Sequence, residues 1–196
     1  MLPMFRSAIS SLFKSEKDLN SNKNDDYISR MIYQTCRENS TILHIGEYNS
    51  EIYDKVNKVI HLNQQFIFKP ENFSNPIFKK SNTINYDSNE SLIKTIERHI
   101  PSKPRLISID SKGDELNTLK SLENYIVKDN IPICITFNPE LALKFGYGPK
   151  ELFKYIESIN ANIITVRKFV LHEAPYSADS FEKAYSIYEE QIFMIY

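Results

Sequence analysis

Glycine is scarce: the 196-residue chain has four, where an average usage of roughly 7% would give about a dozen. Phosphate and dinucleotide cradles use glycines for tight turns and for close backbone approach to the ligand. A chain this poor in glycine has few places to build one. Cysteine is scarcer still. Cys36 and Cys134 cannot make a disulfide framework and read as reduced thiols of a cytoplasmic protein. Cys134 lies in an apolar run and reads as core packing. No run approaches the ~18 apolar residues of a membrane span. The first residues lack an apolar stretch and a small-residue cleavage site, so no secretory leader is expected. An excess of one charge is also missing. The 24 basic and 25 acidic residues leave a net charge of −1, which argues against nucleic-acid binding through bulk charge.

What is present is ordinary for a soluble globular protein: 41% hydrophobic and 25% charged residues, in a length that supports one domain. Residues 1–26 read as an N-terminal arm and linker, and residues 27–196 as the domain. In the arm, Phe5, Ile9, Leu12 and Phe13 recur at helical spacing. Residues 4–14 therefore suit either a helix that docks on a partner, a membrane or a second copy, or one that packs on its own domain. A helix follows over 27–38. Then short β-rich runs begin: TILHIG (41–46), KVIHLN (58–63), NTINYD (82–87), RLISID (105–110), IPICITF (131–137), ANIITVRKFVL (161–171) and QIFMIY (191–196). Helical patterns separate several of them, over 50–56, 89–100, 114–128 and 149–159. Strands alternating with helices predict a Rossmann-like, doubly wound and mostly parallel α/β sheet. The last strand is expected to be antiparallel, because no clear crossover helix precedes it.

Ligands of such sheets bind beyond the carboxyl ends of the strands. The residues there are His44, Gly46 and Glu47, then Asn63, Asp87, Asp110 with Lys112, and Asn138. All but Gly46 are polar, and the topology brings them to one rim. Polar residues after strands also cap helices, and Asp114, Asp87 and Asn89 suit that role. The four histidines and two cysteines show no paired ligand spacing for zinc. KFGYGPKELFKY (144–155) mixes basic and aromatic residues but fits a turn and an amphipathic helix.

The segment RLISIDSKGDELNTLKSLENYI (105–126) resembles the FkbM-type methyltransferases, a branch of the class I S-adenosylmethionine-dependent enzymes. Asp110, Gly113, Glu115, Leu116, Leu119 and Lys120 fall in register with that family's strand-ending acid, turn and helix start. The likeness continues through PICITFNPE (132–140) and FGYGPKELFKYIESINANIITV (145–166). It implies a class I methyltransferase-like fold with S-adenosylmethionine as cofactor and O-methylation of a small hydroxylated, sugar-like acceptor. The cofactor would contact His44, Gly46, Glu47, Asn63, Asp87 and Asp110. Asp110 would act as the catalytic residue, orienting the acceptor hydroxyl or helping to withdraw its proton. Lys112 and Asn138 would face the acceptor.

The chain departs from the family in three places. His44 replaces an acid, and Tyr48 and Ser50 stand where the cofactor loop is slimmer. Asn63 replaces the acid that binds ribose. Lys112 replaces a glutamate and reverses the charge near the sulfonium. These departures open a second reading: a catalytically inactive scaffold that binds a protein partner.

Overall fold

The computed structural model describes residues 23–47, 56, 64–70, 82–86, 91–184 and 191–196. Among them seven strands make one sheet: β1 (Thr41–Gly46), β2 (Gln64–Pro70), β3 (Asn82–Tyr86), β4 (Leu106–Asp110), β5 (Ile133–Phe137), β6 (Ile163–Thr165) and β7 (Gln191–Ile195). Their order is β3-β2-β1-β4-β5-β7-β6. The pairs from β3 to β5 are parallel, and β7 runs antiparallel to both β5 and β6. The expected fold class is observed: mostly parallel, with an antiparallel last strand. That strand is inserted between β5 and β6, so β6 forms the sheet edge.

Alternation along the strands builds two cores. One face carries Leu43, Ile45, Phe68, Ile107, Ile109 and Phe137, all essentially inaccessible. It is covered by α2 (Leu92–His99), α3 (Glu115–Ser121) and α6 (Pro149–Ser158), through Ile96, Leu119, Leu152 and Ile156. The other face carries Ile42, Leu106, Cys134, Ile164 and Met194. It is covered by α1 (Lys23–Thr35), through Met31 and Ile32, and by α7 (Val166–Val170). Burying each such aliphatic or aromatic side chain contributes about 1.5–3 kcal/mol. The strands are apolar on both faces because helices cover both.

Four elements differ from the sequence pattern. The second strand is Gln64–Pro70 rather than 58–63. The run over 161–171 is strand only to Thr165, then turns helical: the Thr165 hydroxyl accepts from the Lys168 N–H at 3.3 Å, and Val166 and Val170 bury at i,i+4 spacing. The helix predicted over 114–128 breaks at Leu122 into α3 and α4 (Glu123–Val127). The first helix starts at Lys23, so its first four residues fall in what reads as linker. The arm helix over 4–14 and the helix over 50–56, save for buried Val56, lie outside the described residues.

α5 (Pro139–Leu143) is a short helix that the sequence pattern hides. Asn138 caps it, its Oδ1 accepting from the N–H groups of Glu140 at 3.0 Å and Leu141 at 3.2 Å, with Pro139 at the first helical position. The chain then turns into α6, where the Glu151 carboxylate accepts from the Gly148 N–H at 2.9 Å. α8 (Ala178–Ala184) lies between α7 and β7 and packs on α6 through Phe181 and Phe153.

Candidate functional site

Strand order reverses between β1 and β4, the point where an open α/β sheet leaves a crevice at its carboxyl edge. There Gly46 sits in register with Asp110. Gly46 has φ +90°, and a Cβ added to it would overlap the carbonyl oxygen of Asp110. Only glycine fits that approach. The next residue locks the corner, because the Glu47 N–H donates to the same Asp110 carbonyl at 2.9 Å.

The side chains above this corner form a charged cluster. The Lys112 ammonium lies 3.0 Å from Glu47 Oε2 and 3.1 Å from Asp110 Oδ1. It thus spans the ends of β1 and β4. Lys112 takes a left-handed φ of 53°, which follows the tight turn in which Asp114 N–H donates to Ser111 O at 3.3 Å. Burial pulls the ammonium's pKa down. The hydrogen bond to Glu47 and the charge and hydrogen bond of Asp110 outweigh it, so the pKa stands above the ordinary lysine value. Lys112 is therefore cationic at neutral pH. Glu47 and Asp110 thus share one ammonium. From sequence alone Lys112 is a cation that would repel the sulfonium; in the structure its ammonium is held by Glu47 and Asp110.

Behind the corner the turn after β4 is braced from inside. Glu115 is only 1% exposed. Its Oε1 accepts from the Gly113 N–H at 3.0 Å, and its Oε2 accepts from the Tyr147 hydroxyl at 3.1 Å. The same hydroxyl accepts from the Leu116 N–H at 3.2 Å. Burial raises the Glu115 pKa above its ordinary value, although the hydrogen bonds from Gly113 and Tyr147 oppose the rise. Gly113 has φ +107°, and a Cβ there would lie 2.6 Å from Leu141 O. The turn is thus clamped between the start of α3 and the middle of α5. Tyr147 is the residue that sequence reasoning missed. It lies 32 positions from Glu115, and no local pattern links them.

The structure brings together Gly46, Glu47, Asp110 and Lys112. Asn138 follows the neighbouring strand β5, its side-chain oxygen engaged as a helix cap. His44 is two residues inside β1, fully buried, and in register with Ser108 and Ile67. It shares Gly46's face but lies below the rim. Asn63 precedes β2 rather than ending it. The strand-end position belongs to Pro70, and Glu71 is next in the chain. Asn63 and Asp87 themselves lie outside the described residues, as do Tyr48, Ser50 and Asn89. Asp114 occupies the N-cap position of α3 without making a capping bond; its Oδ1 accepts from Asn117 Nδ2 at 2.7 Å. Among the described residues no group of three or more His, Cys, Asp or Glu side chains is placed to hold a metal. No described helix is long and apolar enough to cross a membrane.

A switch point between β1 and β4, with an antiparallel strand inserted before the edge, defines the class I methyltransferase type of α/β fold. Two of the solved structures similar to this chain illustrate it. One is a precorrin-6y C5,15-methyltransferase from Geobacter metallireducens GS-15, with TM-score 0.52 and 10% identity over 92% of this chain and 91% of that one. The other is MycE, a methyltransferase of the mycinamycin biosynthetic pathway in complex with Mg and SAH, with TM-score 0.51 and 13% identity. That match covers 96% of this chain and 53% of the other. At these identities the likeness is one of fold. No protein-family model matches the chain, and no curated protein matches it in sequence.

Proposed function

We propose that the chain is an S-adenosylmethionine-dependent methyltransferase, similar to the FkbM type, that O-methylates a small hydroxylated acceptor. The carrying observation is the corner itself: Gly46 in register with Asp110 at the switch point, with Glu47 beside them. Its donor set suits the cofactor. S-adenosylmethionine bears a sulfonium and an ammonium, and the corner presents two carboxylates, Glu47 and Asp110. Glu47, Asp110 and the backbone at Gly46 would hold it, with Glu71 rather than Asn63 supplying an acid after β2. Asp87 keeps its proposed place after β3. When bound, the cofactor supplies an electrophilic methyl group. The chain's own part is positioning: the Asp110 carboxylate would accept a hydrogen bond from the acceptor hydroxyl, align its oxygen and take up its proton as that oxygen gains the methyl group and the methyl's bond to sulfur breaks. Asn138 flanks the acceptor from β5. His44 supports β1 from below rather than touching ligand. Calorimetric titration with S-adenosylmethionine tests this. Micromolar binding that weakens at least tenfold in Asp110→Asn supports it, and no heat at millimolar ligand refutes it.

The Lys112 ion pairs favour a second reading, a non-catalytic relative in which an internal cation takes the place of the ligand's. In that case Lys112→Ala does not restore binding. The arm would then be a docking element, and light scattering of a chain lacking residues 1–22 would show a loss of mass.

A further inference from the structure

The carboxyl rim holds a second concavity, of about 290 Å3, near the lower end for small-molecule sites. Its apolar lining is Ile28, Val166 and Ile192, with the rings of Tyr27 and Tyr176 beside them. Its charged lining is Arg167 and Lys168, and no carboxylate stands among the described residues that line it. The Lys168 ammonium rests 4.4 Å from the centre of the Tyr176 ring. An aromatic face holds a cation in place without neutralising it. An apolar floor with two cations on its wall is chemistry for a small organic anion.

The cavity also lies in line with Asp110. Ile192 pairs with Thr136 of β5, and continuing the Ile109–Ile135 register by one residue sets Thr136 beside Asp110. Leu106, Cys134 and Ile192 share one face of the sheet, and alternation along β4 puts Asp110 on it too. The charge of Asp110 is felt by Cys134 on that face. Asp110 and Ile192 thus occupy one row and one face, two strand spacings or roughly 10 Å apart. A small molecule spans that distance.

We propose that this cavity binds the carboxylate or phosphate end of a small molecule with an apolar or ring body. Resting on the methyltransferase reading, it anchors the acceptor while the hydroxyl to be methylated reaches Asp110. The acceptor is therefore acidic at one end and hydroxylated at the other. The test is calorimetric titration of the full chain, without cofactor, with phenyl phosphate, benzoate and benzyl alcohol. The anions should bind at least about tenfold more tightly than the alcohol, and the tighter anion names the acidic group. Arg167→Met and Lys168→Met should each weaken anion binding about five- to tenfold, and Lys103→Met at the opposite edge should leave it unchanged. Arg167 is exposed, so its variant keeps the test open if Lys168→Met misfolds. Equal binding of the three ligands, or anion binding indifferent to both variants, overturns the proposal. Anion binding as expected in a chain that does not bind S-adenosylmethionine leaves the cavity standing and removes the methyltransferase reading. The reverse result removes the cavity alone.

Discussion

Asp110 and Glu115 are acids five residues apart, at opposite ends of one turn, and their surroundings differ in kind. Glu115 is enclosed and held by neutral donors, among them the Gly113 N–H and the Tyr147 hydroxyl. Asp110 keeps 20% of its side chain exposed and meets a charged, displaceable one, Lys112. A buried carboxylate held by neutral donors costs desolvation to keep and more to lose, so it serves to fix the turn. A carboxylate that stays partly exposed and is paired with a lysine is held weakly by that pair and can exchange partners. The inner acid sets the geometry and the outer one is available for chemistry.

The most damaging change lies where the two strands meet. Gly46→Ala places a Cβ against the Asp110 carbonyl at a left-handed φ. It should cost about 4 kcal/mol or more, or yield no folded protein, in urea unfolding. Glu115→Ala, which strands Gly113 N–H and the Tyr147 hydroxyl, should cost about 3 kcal/mol, and Tyr147→Phe about 1–2 kcal/mol. If the outer acid were equally structural, Asp110→Asn would match Glu115→Ala; a loss under about 1 kcal/mol is expected instead.

The pH dependence sharpens the same contrast. The raised pKa of Glu115 means that the folded state binds its proton more tightly than the unfolded state. Stability from this group is therefore greatest below the ordinary value of 4.5 and falls as pH rises from there through the folded-state pKa. Stability measured across that window should decline with pH, and Glu115→Gln should flatten the decline. A smaller effect is expected at Lys112. Lys112 is 34% exposed and its partners Glu47 and Asp110 40% and 20%, so Lys112→Ala should change stability by less than about 1 kcal/mol. The same variant should tighten S-adenosylmethionine about three- to tenfold relative to its uncharged demethylated product. Smallest of all is the response of the thiols. Burial pushes both Cys36 and Cys134 up to about 12. Neither should react with a disulfide reagent at pH 8 until the chain is unfolded.

Much of the fold was legible because its signals are local. β1, β4, β5 and β7 are apolar runs, and α6 opens on Gly148 and Pro149 with Glu151 in its first turn. The second strand was misplaced because KVIHLN and QQFIFKP lie end to end and both read as β. The change from strand to helix at Thr165 was hidden by β-branched residues, which suit a strand, while Val166 and Val170 bury at helical spacing. At the site, the strand-end residues Gly46, Glu47, Asp110 and Lys112 could be named from sequence. The sign of the effect at Lys112 could not, because its charge is settled by Glu47, 65 positions away in the chain. Tyr147 was invisible for the same reason.

The account stands most directly on what occupies the corner between Gly46 and Asp110. A crystal structure grown with S-adenosylhomocysteine measures it. The account predicts ligand density over Gly46 and Glu47, with the Lys112 ammonium displaced from at least one of its two carboxylates. An empty corner at saturating ligand, with Lys112 still bridging Glu47 and Asp110, would contradict it.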